Sequence, residues 1–140
     1  MKQEVVEYLS GIPCWFLATT DIDNPAQPRV RPFSFCALDN DRICFCTATN
    51  KDIYEQLQEN PLFELSGWKP GSGWIVVEGT AQLDTLVSAE TRQAGYDHMT
   101  GLGETYLGPD DPRLTFFTIT NAKATLADID GGSFPIDLES

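Results

Sequence analysis

The sequence predicts an α+β domain in which six antiparallel strands form a barrel-like sheet, accompanied by two or three short helices. Three observations support this fold class. Apolar runs of strand length recur along the chain and are bounded by turn-forming residues. A few other segments carry their apolar residues at helical spacing. The chain has 140 residues, enough for one core and too few for a second, so we expect a single domain over residues 1–140.

The predicted helices have recognisable ends. A short helix opens the chain, because its apolar residues recur at near-helical spacing up to Pro13. A second helix over residues 51–59 presents Ile53 and Leu57 on one face and stops before Pro61, since the residue before a proline disfavours helical geometry. Residues 88–99 are the candidate for a third helix.

The predicted strands are separated by turn signals. Residues 21–28 are rich in turn formers, Asp39-Asn40-Asp41 divides two apolar runs, and a Gly/Ser turn follows Lys69. The Gly/Pro-rich residues 101–112 form a surface loop before the last and longest strand. The six predicted strands cover residues 14–20, 29–38, 42–49, 62–68, 74–83 and 114–129.

Charge and hydropathy exclude several classes of partner. The chain has nine Lys and Arg residues and 21 Asp and Glu residues. The resulting formal net charge of −12 repels both phosphodiester backbones and anionic lipid. The first residues carry no basic segment followed by an apolar run, and no stretch of about 18 apolar residues occurs. We therefore expect a soluble cytoplasmic protein that binds neither nucleic acid nor membrane.

The cysteines and the single histidine favour neither a metal site nor a nucleophilic enzyme. Cys14, Cys36, Cys44 and Cys46 lie in apolar strands without Cys-x-x-Cys spacing, which is typical of buried, reduced thiols. Cys44 and Cys46 share one face of a strand, but His98 does not complete a ligand set with them. His98 falls in the least regular part of the chain, and no Ser-His-Asp or Cys-His-Asn set is evident.

Scarce positive charge gathers where two strands and a helix meet. Arg29 and Arg31 project from one face of a strand, and Thr47 and Thr49 do the same near the end of a neighbouring strand. Lys51 then begins a helix, whose first N–H groups favour anions. Together these groups supply the donors that a phosphate dianion requires. The alternative is that they are solvated side chains on an exposed face.

Aromatic side chains offer a place for a planar ring. Phe33, Phe35, Trp15 and Tyr54 are candidates for lining an apolar cleft, and Trp74 lies beside a Gly/Ser turn. Packing in the core is the alternative role for most of them.

In this order, the motifs carry a family resemblance. Residues 16–20, 28–33 and 43–51, followed by Tyr54 and Asn60-Pro61, resemble the pyridoxamine 5'-phosphate oxidase-like family of FMN-binding split barrels. The similarity is greatest to the short members grouped with nitroimidazole-resistance proteins. It continues through residues 74–81 and 121–125, and so covers nearly the whole chain.

The resemblance implies a homodimer that holds two FMN molecules at its interface, each flavin lying along residues 29–33. It implies that Arg31 or Arg29, together with Lys51, approaches the FMN phosphate, with Thr47, Thr49 and Asn50 as nearby donors. Backbone amides near Pro32 to Ser34 are candidates for bonding the ring edge, and Trp74 corresponds to a flavin contact that often comes from the second subunit. The candidate cofactor-binding residues are Arg29, Arg31, Pro32, Phe33, Ser34, Thr47, Thr49, Asn50, Lys51 and Trp74.

Two departures from the family narrow the expected activity. Pyridoxamine phosphate oxidases carry a C-terminal extension with Arg and Trp residues that bind substrate and FMN, whereas residues 132–140 here have neither. We therefore do not expect oxidation of vitamin B6. In the nitroimidazole-resistance proteins a histidine precedes the hydroxyl-rich stretch, and Cys46 takes that position here, so we expect no activity that depends on that histidine.

The leading hypothesis is an FMN-dependent oxidoreductase that passes electrons from NAD(P)H to a small organic acceptor such as a nitroaromatic or a quinone. No side chain has to act as a nucleophile, so no catalytic residue is assigned. A non-enzymatic flavin or haem binder and a deazaflavin-dependent reductase are the alternatives. We expect a homodimer also because residues 74–77 and 114–119 are apolar on both strand faces, more than one small core can bury.

Overall fold

The computed structural model describes residues 1–138, which form three helices and eight strands. The helices are α1 (Lys2–Ser10), α2 (Asp52–Glu59) and α3 (Ala89–Gly101). The strands are β1 (Trp15–Thr20), β2 (Pro28–Phe33), β3 (Cys36–Asp39), β4 (Arg42–Ala48), β5 (Leu62–Lys69), β6 (Gly73–Gln82), β7 (Leu114–Ala127) and β8 (Ser133–Ile136). None of the helices in this part of the chain has the length and apolarity needed to cross a membrane. Residues 139 and 140 of the predicted domain lie outside the described residues.

Strands β2 and β3 follow each other in the chain yet lie at opposite edges of the sheet. The strand order is β2-β1-β5-β6-β7-β4-β3, with β8 added beside β7, and the pairs are antiparallel. Ser34 and Phe35 alone join the two edges. A link of that length spans at most about 11 Å between the flanking Cα atoms, so the sheet curls until its edges nearly meet. The result is a barrel split along one seam, between β2 and β3, which confirms the predicted α+β class.

The predicted continuous strand over residues 29–38 is wrong at this seam. In one straight strand, Phe33 and Phe35 would face the same side. Instead Phe33 packs edge-on against Phe117 inside the barrel, at 6.1 Å between ring centroids, while Phe35 packs against Phe116 outside it, at 6.3 Å. The chain breaks its pairing at residues 34 and 35 because the two rings are buried in different clusters.

The predicted last strand, residues 114–129, corresponds to β7, and the strand that follows it, β8, is not predicted by the sequence. β7 ends at Ala127, and the Asp128 carboxylate accepts hydrogen bonds from the N–H groups of Asp130 and Gly132, at 2.9 and 2.8 Å. This side-chain-stabilised turn sends the chain back, and β8 pairs with β7. Together, the seam and this turn make eight strands where the sequence predicts six.

Aromatic rings fill the barrel. Phe45 and Phe117 approach to 5.3 Å between centroids, and Phe63 packs edge-on against both. Trp15 contacts Phe45 from the side, at 6.2 Å. Helix α1 adds its fully buried Val5 and Leu9 to the same core. Edge-to-face packing suits aromatic quadrupoles and holds the barrel walls at a defined separation.

Helix α3 covers the outer face of β4 and β7. A second apolar cluster lies beneath it and consists of Phe35, Cys44, Cys46, Met99, Leu114 and Phe116. A Cβ atom on Gly95 would lie 2.6 Å from the Phe116 ring, so glycine allows the helix to approach this closely. Phe116 is only 1% exposed beneath α3, so the expectation that residues 114–119 need a second subunit to bury them is wrong.

A buried carboxylate fastens the start of α3 to the β3–β4 hairpin. Asp39 accepts hydrogen bonds from the Ser88 N–H at 3.1 Å, the Thr91 hydroxyl at 2.8 Å and the Arg42 guanidinium at 3.0 Å. Burial by itself raises the pKa of Asp39, but these hydrogen bonds outweigh it and lower the pKa to about 2. The carboxylate is therefore charged across the physiological range.

Replacing Asp39 by Asn is expected to destabilise the fold by about 1–3 kcal/mol at pH 7, because Arg42 loses its charged partner. The Asp39 pKa lies below the ordinary 3.8, so its contribution is complete above about pH 4 and is lost as the pH falls toward 2. The difference between the wild-type protein and Asp39→Asn should therefore shrink over that window in urea unfolding. The control is Asp41→Asn, two residues along the chain, where the side chain is 85% exposed. A difference in unfolding free energy that did not change with pH would contradict the role assigned to the Asp39 charge.

Candidate cofactor-binding site

A cavity of about 890 Å³ lies at the seam. It is bounded by β2, the seam residues, the end of β4, the start of α2 and the segment that follows α3. Its volume falls in the range of small-molecule sites. Eight of the predicted residues line it: Arg29, Arg31, Pro32, Phe33, Ser34, Thr47, Asn50 and Lys51.

The two arginines of β2 project from the same face of the sheet, because side chains two residues apart in a strand point the same way. Arg31 lies opposite Leu17 in the β1–β2 register and Arg29 opposite Thr19, so both share the face of these buried side chains. Val30 lies opposite Ala18 and belongs to the other face. The predicted projection of Arg29 and Arg31 from one face is confirmed.

Arg31 is held by neutral oxygens. Its guanidinium donates to the Thr19 hydroxyl at 2.8 Å, to the Leu17 carbonyl at 3.2 Å and to the Gln56 side-chain oxygen. Burial lowers the pKa of Arg31, and the Asp52 carboxylate opposes that shift. An arginine remains protonated under such conditions, so β1 and α2 fix a positive charge in the cavity wall.

Arg29 and Lys51 already have acidic partners. Arg29 Nε lies 2.9 Å from Asp21 Oδ1, and Lys51 Nζ lies 2.5 Å from Glu104 Oε1. With Asp52, the cavity wall therefore carries three acidic and three basic side chains. Of the three basic groups, Arg31 is the one whose hydrogen bonds go to uncharged atoms.

The start of α2 forms one end of the cavity. Lys51 is its N-cap residue, with extended backbone and no side-chain capping hydrogen bond. The first N–H groups of a helix have no partner within the helix and favour an anion. Thr47 and Asn50 line the cavity close to this helix start in the chain. These groups are hydrogen-bond donors of the kind that bind phosphate esters.

The cavity lining also includes apolar side chains. Phe33, Phe35, Met99 and Leu102 contribute to its lining. Ser34 adds a hydroxyl group, whose oxygen lies 2.8 Å from His98 Nε2. His98 itself lies in the last turn of α3, rather than in an irregular segment as the sequence suggests.

Cys46 lies in the cavity wall without reactive character. Burial raises the pKa of its thiol to about 12, with smaller contributions from Cys44 and Glu104. A thiol with that pKa stays protonated at neutral pH and is a poor nucleophile. Cys44 packs in the same cluster beneath α3, and all four cysteines are free.

Two predicted residues lie away from the cavity. The Thr49 N–H donates to the Arg113 carbonyl at 2.8 Å, which ties the end of β4 to the start of β7. Trp74 lies opposite Trp68 in the β5–β6 hairpin and is 38% exposed. Its predicted contact from a second subunit stays a prediction.

Sequence reasoning missed several residues of the cavity. Gln56 lies on the buried face of α2 and serves both Thr19 and Arg31. Glu104 comes from the loop after α3, 53 positions beyond Lys51. Helical spacing could have placed Gln56 beside Ile53 and Leu57, but nothing in the sequence pairs Glu104 with Lys51.

The split barrel thus carries, at its seam, a cavity lined by both charged and apolar side chains, as small-molecule sites often are. Residues 1–127 match the family model described as pyridoxamine 5'-phosphate oxidase. The chain belongs to that family. A comparison with curated protein sequences found no match.

Solved structures of several relatives share the fold. A NimC/NimA family protein from Clostridium acetobutylicum has a TM-score of 0.79 at 24% identity, covering 96% of this chain and 93% of that one. PhzG from Burkholderia lata 383, in complex with tetrahydrophenazine-1-carboxylic acid, has a TM-score of 0.57 at 18% identity, covering 94% and 78%. A protein described as F420 reductase has a TM-score of 0.57 at 20% identity, covering 83% and 94%.

Proposed function

We propose that the protein binds FMN in the seam cavity and acts as an oxidoreductase that passes electrons from NAD(P)H to a small organic acceptor, of the nitroaromatic or quinone type. One observation carries the proposal: a single cavity joins the uncapped start of α2, with Lys51 and Arg31, to an apolar wall that includes Phe35 and Met99. Membership of a family that typically binds flavin and includes oxidoreductases supports it.

The lining fits FMN in chemistry and in size. Lys51, Arg31 and the start of α2 would hold the phosphate, and Thr47 and Asn50 would supply further donors. The apolar wall suits a planar ring, and about 890 Å³ leaves space for a small acceptor beside it. FMN would supply the electron-transfer chemistry, while the protein provides position and electrostatics.

Side chains of the cavity would orient ligands and shield them from water. Cys46 is a neutral thiol, so covalent catalysis through it is not part of the proposal. Ser34 offers a hydroxyl group to the cavity, and its bond to His98 Nε2 holds that hydroxyl in place. Phe33, on the barrel side, and Phe35, on the side of α3, would limit the access of water to the cavity.

A deazaflavin is the alternative cofactor, because one structure with this fold is described as F420 reductase. A non-enzymatic flavin or haem binder would use the same cavity without turnover. The absorbance spectrum of the purified protein separates FMN, deazaflavin and haem, and release of FMN on denaturation identifies the first.

We also propose that the functional unit is a homodimer joined through the open face of the sheet. Phe16 and Val30 are 53% and 66% exposed, and Trp68 is 62% exposed. The strand registers put all three on the face opposite the barrel core. Val30 and Pro32 also line the cavity, so a subunit docked on this face would close the FMN site. An apolar face of this kind is typical of a protein interface.

Replacing Lys51 or Arg31 by Ala is expected to weaken FMN binding by about 1.5–3 kcal/mol, the usual contribution of a charge-assisted hydrogen bond. Titration of the apoprotein, followed by quenching of flavin fluorescence, measures this. Lys69→Ala removes an exposed lysine that lies over Tyr8, away from the cavity, and should bind FMN as the wild type does. Unchanged affinity in both cavity variants would remove the phosphate assignment.

The FMN-loaded protein is expected to oxidise more than one equivalent of NAD(P)H only when a quinone or nitroaromatic acceptor is present to reoxidise the flavin. Steady-state absorbance at the nicotinamide band measures the rate. Lys51→Ala should lose rate at limiting FMN and regain it when FMN saturates, because the residue binds the cofactor and takes no part in the electron transfer. Tight FMN binding without acceptor-dependent oxidation would favour the non-enzymatic binder.

Replacing Phe16 by Asp is expected to convert the dimer to monomers, because the interface would bury an unpaired charge. Sedimentation velocity at micromolar concentration reports the state. Leu86→Asp is the matched control, since Leu86 is 91% exposed on the segment between β6 and α3. FMN affinity should fall together with dimerisation. A wild-type monomer that still holds FMN tightly would refute the shared site.

A further inference from the structure

An acidic side chain of the protein itself, Glu104, is paired with Lys51 in the cavity wall. We propose that Glu104 is an internal anion that competes with phosphate for Lys51, so that a phosphate-bearing ligand binds by displacing the Glu104 carboxylate. Glu104 would then determine how strongly the site selects against ligands with high negative charge. The proposal rests on the proposed function in taking FMN as the phosphate ester, but the competition itself concerns any phosphate.

The ion pair lies within the cavity wall. Lys51 Nζ and Glu104 Oε1 are 2.5 Å apart, and both residues line the cavity. The two side chains are 41% and 27% exposed, so the pair is partly shielded from water. Lys51 is also the N-cap of α2, where a phosphate would find free N–H groups. The carboxylate therefore lies where the phosphate is expected.

Hydrogen bonds hold Glu104 at this position. The Tyr106 hydroxyl donates to Glu104 Oε1 at 3.3 Å, and the Glu104 N–H donates to the Met99 carbonyl at 3.2 Å. Further along, the buried Asp111 accepts from the Leu107 N–H at 2.8 Å and from Arg113 Nη2 at 2.7 Å. Burial, assisted by Glu104, raises the pKa of Tyr106, which keeps its hydroxyl group a donor. The loop thus presents the carboxylate in a defined place.

The Glu104 carboxylate makes binding costly for a phosphate dianion, which has to displace it or bind beside it. If a phosphate bound Lys51 while Glu104 stayed in place, two anions would share one ammonium group. The repulsion between two like charges a few ångströms apart is strong where they are partly shielded from water. Riboflavin, which has the same ring and no phosphate, avoids that repulsion. Removing the Glu104 charge should therefore favour FMN and leave riboflavin unchanged.

Glu104→Gln tests the proposal, because the amide keeps an acceptor for Tyr106 and loses the charge. Asp110→Asn is the matched control: it removes one negative charge from the same loop, where Asp110 is 97% exposed and faces Arg92 at 3.6 Å. Isothermal titration with FMN and with riboflavin compares both variants with the wild type. We expect Glu104→Gln to bind FMN about three- to tenfold more tightly, in line with a partly exposed ion pair, with riboflavin unaltered. Asp110→Asn should match the wild type with both ligands.

Each outcome decides one of the two proposals. Equal or weaker FMN binding by Glu104→Gln, or an equal gain for riboflavin, overturns the internal-anion role. If no variant binds FMN, the proposed function fails, and inorganic phosphate then decides the role of Glu104. Phosphate titration followed by the amide NMR signals of Asp52 and Ile53 should show tighter binding in Glu104→Gln, and its absence overturns the inference. Tyr106→Phe, which frees Glu104 without removing its charge, should give an intermediate gain.

Discussion

The two-residue link between β2 and β3 constrains the rest of the structure. Because Ser34 and Phe35 join strands at opposite edges of one sheet, the sheet has to curl until those edges nearly meet. The two edge strands, β2 and β3, do not pair with each other, so a seam remains. The seam leaves a cavity, and it directs Phe33 into the barrel core and Phe35 to the cluster beneath α3. The site is therefore a consequence of how the barrel closes. It is not a depression added to a finished fold.

Within that cavity the protein balances its own charges. Arg29 and Lys51 have carboxylate partners, whereas Arg31 is held by neutral oxygens of β1 and α2. A free cationic pocket would otherwise attract small anions from solution, even on a chain with a net charge of −12. In the proposed FMN site, positive charge that is fixed but internally compensated would give selectivity, since a ligand would have to offer more than a negative group.

Local patterns predicted the elements and the class of the fold, and long-range contacts account for what they missed. Alternation along β2 correctly put Arg29 and Arg31 on one face, because the strand period is a local property. The break at residues 34 and 35 depends on which cluster receives each phenylalanine, and that is decided by strands far away in the chain. The Lys51–Glu104 pair likewise joins α2 to a distant loop whose course no periodicity records.

The thiols beneath α3 bear on how this protein would tolerate oxidants. Oxidation of cysteine proceeds through the thiolate. Burial raises the pKa of Cys44 and of Cys46 to about 12, so both thiols stay protonated at neutral pH. Cys46 therefore forms part of the cavity wall without offering peroxide or a reactive quinone a nucleophile. The same cluster that supports α3 thus keeps both thiols in their protonated, less reactive form.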